Sequence, residues 1–218
     1  MTESSLSIRR VSRIAPDLRR AGLVKVEIDE QPAFTVPATV VAALGLEAGA
    51  ILSDDAEGVL GREADAEAAY RTALRSLEQR PYAMRDLARR LVLKGHPPEA
   101  ADRAVVRAEQ AGLIDDTAFA RHYIETRFGR GRGPARLRRE LQGFGVAASI
   151  IEQEVTAGVT PDAANERMIA LIRKRTGQLE GVPVSDRKRR ILAFLARRGF
   201  HGYEAVKAVE EVIGESTP

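Results

Sequence analysis

Cysteine is absent from the 218 residues, which excludes disulfides and thiolate chemistry and fits a reducing compartment. Histidine is nearly as scarce. His96, His122 and His201 stand alone, without H-x-E or H-E-x-x-H spacing, so neither a metal site nor a histidine base is expected. Aromatic residues make up only 5%, too few to suggest recognition of single strands by base stacking. No apolar run approaches the length of a membrane span, and the N-terminus lacks the apolar core of a signal peptide. The chain is therefore expected to be soluble, unprocessed and cytoplasmic, with no membrane partner.

Two segments imitate chemistry without supporting it. Gly129-Arg-Gly-Arg-Gly133 looks like a phosphate loop, but no Lys-Ser/Thr follows it and it succeeds a helical pattern rather than a strand, so an inter-helix loop is expected. Asp115 and Asp116 resemble a carboxylate pair, yet they stand just ahead of a helix and are read as capping, with Asp116 the candidate N-cap. No enzyme, cofactor or small-molecule substrate is expected.

What the chain does contain is repetition. L-x-x-x-L-x-x-x-G occurs as Leu87/Leu91/Gly95, as Leu137/Leu141/Gly145 and, with Ile first, as Ile191/Leu195/Gly199. Apolar pairs follow each glycine at matching offsets: Ala101/Val105, Ile151/Val155 and Ala205/Val209. An i, i+4 pair marks a buried helical stripe, and glycine ends a helix where a left-handed residue is needed. Each copy thus predicts two packed helices, and a third precedes them, over Ala66–Arg80, Thr117–Phe128 and Asp162–Arg175. Thr160-Pro161, Pro134 and Pro97-Pro98 supply start signals. The fold class expected is mainly α, an elongated array of three tandem three-helix repeats with a small β-containing N-terminal domain. Residues 1–65 form the cap, and 66–115, 116–158 and 159–218 the repeats.

In the cap, residues 23–36 alternate apolar and polar on both sides of Asp29-Glu30-Gln31-Pro32, which predicts two strands and a turn. Leu6–Ile14 offers another strand, and Pro37 opens a short helix stopped by Gly45.

The net charge of +3 conceals segregation. After the opening residues the first part is acidic, with Glu27, Asp29, Glu30, Glu47, Asp54, Asp55, Glu57, Glu63 and Asp65 facing only Lys25 and Arg62 over residues 23–65, whereas base accumulates in the later repeats. The candidate partner-binding residues are Arg121, Arg127, Arg130, Arg132, Arg136, Arg138 and Arg139 in the second copy. Lys174, Arg175, Arg187, Lys188, Arg189, Arg190, Arg197 and Arg198 are those of the third. Arginine at this density suits a carboxylate- or phosphate-bearing partner.

The block L-I-D-D-x-x-F-A-x-x-Y at Leu113–Tyr123, ahead of L-R-R-E-L-x-x-x-G at Leu137–Gly145 and following Leu87–Gly95, resembles the RecX regulatory proteins. The run from Ile28 to Gly49 resembles the β-containing extension of some members. The resemblance implies a modulator of the RecA recombinase, and the chain is expected to be a monomer. Such a protein binds the RecA–DNA filament, lies along its groove, and inhibits its ATPase, strand-exchange and LexA-coprotease activities in DNA repair and the SOS response. The competing reading is a direct DNA-binding protein that uses its basic faces, as a regulator of gene expression would; weak DNA contact is compatible with both. Charge reversal at Arg136, Arg138 and Arg139 is expected to abolish inhibition.

Overall fold

The computed structural model describes residues 9–215, which form two compact units. One unit contains the residues up to Pro81 together with Leu87–Ile114; the other contains Tyr82–Asp86 and everything from Asp115 onward.

The first unit begins with an antiparallel sheet in the order β1 (Val11–Pro16), β2 (Leu23–Ile28), β3 (Gln31–Pro37). The hairpin turns at Asp29 and Glu30, both left-handed, with φ 48° and 63°, the geometry of a two-residue turn that matches strand twist. The expected third strand is β1; Leu6 to Ile8 lie outside the described residues. Val11, Val26, Ile28 and Val36 of the sheet share one core with Val41 of α1 (Ala38–Ala43), with Leu52, and with Leu60 of α2 (Asp54–Leu77).

That last contact corrects the sequence reading, because α2 starts at Asp54 and not at Ala66. Ser53 accepts a hydrogen bond from the Ala56 amide at 3.2 Å, and Asp54, Asp55 and Glu57 fill the first turn. A hydroxyl cap followed by carboxylates near the positive end of the helix is a strong start signal. The first half of α2 therefore backs the sheet, and the second half belongs to a three-helix module with α3 (Met84–Leu93) and α4 (Pro98–Gln110). Ala69 and Ala73 of α2 and Ala101, Ala104 and Ala108 of α4 are buried, side chains short enough for close helix approach. Arg103–Glu63 at 2.7 Å and Arg107–Glu67 at 2.8 Å link the same two helices.

The second unit holds two more modules, α5 (Asp116–Gly129), α6 (Pro134–Phe144) and α7 (Ala148–Gly158), then α8 (Pro161–Gly177), α9 (Val184–Arg198) and α10 (Tyr203–Glu215). Leu137 and Leu141 are wholly buried among Phe119, Ile124, Ile151 and Val155; Ile191 and Leu195 are wholly buried among Ile172, Phe200, Val209 and Ile213. The motif leucines are thus core residues, and the protein is mainly helical with tandem three-helix modules. Gly95, Gly145 and Gly199, at φ 92°, 86° and 90°, end the second helix of each module in the left-handed conformation that costs glycine least.

Capping differs from expectation at one point. Asp115, not Asp116, caps α5, accepting from the Thr117 and Ala118 amides at 2.8 and 3.0 Å. Asp116 instead accepts from the Met84 amide at 2.8 Å. Helix α3 follows Pro-Tyr-Ala and has no capping side chain of its own just ahead of it, so this distant carboxylate satisfies one of its orphan donors. Thr160 caps α8 with Pro161 at its first position, as the sequence predicts.

Candidate functional site

The second helix of each module is net positive, and so is α8, with Arg167, Arg173, Lys174 and Arg175 against Asp162 and Glu166. Helix α6 has Arg136, Arg138 and Arg139 against Glu140; α9 has six cations against Asp186. The third helices are different. Helix α7 carries Glu152 and Glu154 and no cation, while α10 sets Lys207 against Glu204, Glu210 and Glu211. A third helix laid in a DNA groove would bring carboxylates to phosphates, so the useful positive charge lies on the second helices, the loops beside them and α8.

Most of the nominated cations fall into two groups. Some are tied internally. Arg121 makes a two-pronged contact with the nearly buried Glu154, at 3.0 and 3.3 Å, and the hydrogen bond and charge of Glu154 raise its pKa further. Arg138 pairs with Glu152 at 2.9 Å, Arg189 with Asp186 at 2.9 Å, and Lys188 with Glu210 at 3.9 Å. Arg187 donates to the Val182 carbonyl at 3.0 Å, and Arg127 lies 5.4 Å from the Tyr123 ring centre. Charge reversal at Arg136 and Arg138 would therefore break internal pairs as well as alter the surface.

The other group converges. The α5–α6 loop contributes Arg130 and Arg132, α6 contributes Arg136, α8 contributes Lys174 and Arg175, and the last turn of α9 contributes Arg197 and Arg198. They line two adjoining clefts of about 500 and 420 Å³ that share Arg130, Phe194 and Arg198, and among the described residues no carboxylate is on either wall. Arg139 and Arg190 are exposed and lie outside both clefts.

A single carboxylate organises one side of this face. Glu140 accepts from Arg132 at 2.6 Å, Arg136 at 2.8 Å and the Tyr123 hydroxyl at 2.9 Å. Burial alone would raise its pKa, but hydrogen bonds from Arg136 and Tyr123 and the charge of Arg132 outweigh it, so the Glu140 carboxyl titrates below the ordinary range. Burial and the same carboxylate push the Tyr123 phenol up. Two guanidiniums share one carboxylate, which leaves the cluster net positive. Because Glu140 is depressed in the folded state, its stabilisation is complete above the ordinary glutamate pKa of about 4.3. It is lost as pH falls through the lower folded value. Glu140→Gln should lower the melting temperature at pH 7 by several degrees and flatten the acid limb below about pH 4.3, the ordinary glutamate value. Thermal melts across pH check this, and an unaltered acid limb would contradict it.

The loop itself is no phosphate cradle. The amides of Arg130 and Arg132 donate to the Arg127 carbonyl, that of Gly131 to Phe128, and that of Gly133 to Arg198 at 2.6 Å. With these donors used, an anion here must be met by side chains. The Gly133–Arg198 bond also joins the carbonyl end of α9 to the amide end of α6, so each helix satisfies orphan groups of the other.

Sequence reading missed Arg167 and Phe194. Arg167, Leu171, Lys174, Arg175 and Gln178 share the lining of one cleft, at the offsets of a single helical face, and Phe194 and Arg198 are likewise i, i+4. That periodicity was the available signal. The histidines are dispersed: His96 meets the Thr72 hydroxyl at 2.9 Å, while His122 and His201 are exposed. No helix among the described residues is long and apolar enough to cross a membrane.

Comparison with known proteins places this geometry. Family models described as the first and second three-helix domains of RecX match residues 69–107 and 115–154. The chain is 34% identical over 151 residues to a "Regulatory protein RecX" of Streptomyces coelicolor, spanning 68% of this chain and 79% of that one. It is 35% identical over 138 residues to one of Halorhodospira halophila, spanning 63% and 83%. Among solved structures, a crystal structure of regulatory protein RecX superposes with a TM-score of 0.73 at 23% identity, covering 95% of this chain and all of that one. RecX from Lactobacillus salivarius superposes at 0.58 with 19% identity, over 69% and 96%. The tandem three-helix modules, the repeated glycine-ended basic helices and this similarity together establish that the chain belongs to the RecX family of regulatory proteins.

Proposed function

We propose that this chain is a non-enzymatic, cytoplasmic regulator that binds the RecA–DNA filament as a monomer and inhibits RecA's ATPase, recombinase and LexA-coprotease activities. The contact face is the cationic surface formed by the α5–α6 loop, α6, α8 and the end of α9. Family membership supports the partner, and the supporting observation on this chain is the convergence of Arg130, Lys174, Arg175, Arg197 and Arg198 without a carboxylate on the cleft walls. A filament groove presents a long shallow surface, and a row of cations beside packed helices can meet acidic or phosphate groups along it without a deep pocket. Docking in that groove follows from the same reading. The four segments 1–65, 66–115, 116–158 and 159–218 then serve as cap and successive contact modules.

Direct DNA binding has a narrower basis. The clefts can take phosphates, but the third helices are anionic or weakly charged and unsuited to groove reading. Any DNA contact is therefore expected to be sequence-independent and to weaken steeply with salt. The test is to add the purified chain to RecA filaments on single-stranded DNA and follow ATP hydrolysis. Slowing that saturates with added protein is expected, and unchanged hydrolysis would refute the proposal.

A further inference from the structure

The cleft around Phe194 has the attributes of a small-ligand site in its own right. The cleft, of about 500 Å³, carries Arg130, Arg167, Lys174, Arg175 and Arg198 on its wall and no acidic residue among the described ones. Two of these guanidiniums are fixed on one ring: Arg198 lies 4.7 Å and Arg175 5.6 Å from the Phe194 centre. Arg198 is held further by the Arg130 and Gly131 carbonyls at 3.4 and 3.3 Å, and Arg175 by Gln178 at 2.8 Å. The Arg175 Nε is buried and meets no acceptor among the described residues. Guanidiniums held in this way lose little side-chain freedom when an anion arrives.

The form of the cleft narrows the ligand. Phe194 is engaged by guanidinium groups, so it is poorly disposed to stack a base, and the amides of the Gly131 loop are already bonded. Recognition rests on side-chain charge. A phosphodiester strand brings one charge per nucleotide, spread along its length, whereas an oligophosphate concentrates several on adjacent phosphorus atoms. The second distribution is closer to that of the cleft. We propose that this cleft binds a compact oligophosphate, of the kind carried by nucleoside di- and triphosphates or present as free inorganic chains. The proposal does not depend on the filament reading.

The experiment is calorimetric titration of the full chain with tripolyphosphate, with ATP, and with a short oligothymidylate lacking terminal phosphates. Tripolyphosphate and ATP are expected to compete for one saturable site, with the oligothymidylate weaker by roughly tenfold or more. Comparable affinity for the first two would assign recognition to the phosphates alone, and tighter ATP binding would add a nucleoside contribution; both agree with the site. Arg130→Ala combined with Lys174→Ala should weaken binding about a hundredfold, since each removed charged hydrogen bond is worth about tenfold. Arg139→Ala, outside the cleft, should not. Helical content by circular dichroism should be unchanged in both variants. Absence of saturable binding by tripolyphosphate and ATP, binding that survives the double substitution, or preference for the oligothymidylate would overturn the proposal.

Discussion

Leu141→Asp should abolish cooperative folding of the second unit, whereas Leu93→Asp, made in the second helix of the first module, should change little. Leu141 is wholly buried in a cluster with Phe119, Ile124, Leu137 and Val155, while Leu93 is 88% exposed. Burying one leucine stabilises by about 1.5–3 kcal/mol. An aspartate in its place must also lose hydration without a partner or drag its surroundings open, which adds several kcal/mol. Against a total stability of about 5–15 kcal/mol, the sum is enough to unfold the module. Circular dichroism and thermal melting read the result directly. A Leu141→Asp protein with full helical content and the original melting temperature would contradict the core assignment.

Gly199→Ala and Gly95→Ala should differ sharply although the two glycines occupy equivalent positions in their modules. Their φ values are 90° and 92°, so an alanine pays the same left-handed penalty at either, about 1–2 kcal/mol. Their surroundings are not alike. A Cβ on Gly95 would meet nothing within 4 Å, whereas one on Gly199 would lie 2.5 Å from the Arg136 Cβ and closer still to the Arg136 backbone nitrogen. The amide end of α6 would have to move, at about 1–3 kcal/mol for overpacking. Gly199→Ala should therefore destabilise by roughly 3 kcal/mol or more and Gly95→Ala by only the smaller figure. It should also disturb the bond from Arg136 to the Arg197 carbonyl, now 3.0 Å, and with it the cationic face. Equal losses of melting temperature in the two variants would refute the α9–α6 junction as a close contact.

Much of this architecture is readable from local pattern. The leucine pairs at i, i+4 are the wholly buried residues of their modules, the glycines after them are left-handed, and Thr160-Pro161 starts α8. These features are legible because a few adjacent residues determine each. The misplacements have a common cause. The start of α2 at Ser53 lay inside a segment whose strand-and-turn pattern had set the boundary further along, and the second half of the helix alone carries the module's stripe. Asp116 caps α3 from across the fold, a role set by tertiary proximity and invisible in the nearest neighbours of either residue.

The site was legible as a class and not in detail. Density of arginine points to the helices that line the cationic clefts, but composition cannot tell a paired cation from an available one. Arg121 and Arg138 look the same as Arg130 in sequence, yet Glu154 and Glu152 come from a neighbouring helix to hold them. Phe194 was hidden because its importance comes from the guanidiniums packed on it, one of which, on Arg175, belongs to another helix.

ATP hydrolysis by RecA on single-stranded DNA, measured with the native chain and with an Arg130→Glu/Arg197→Glu variant, tests the account most directly. Neither side chain makes an ion pair among the described residues, so reversal alters the face without breaking an internal bridge. The native chain should slow hydrolysis, and the variant, with unchanged helical content and melting, should need roughly tenfold or more protein for the same effect. A native chain without effect, or a folded variant that inhibits equally well, would contradict it.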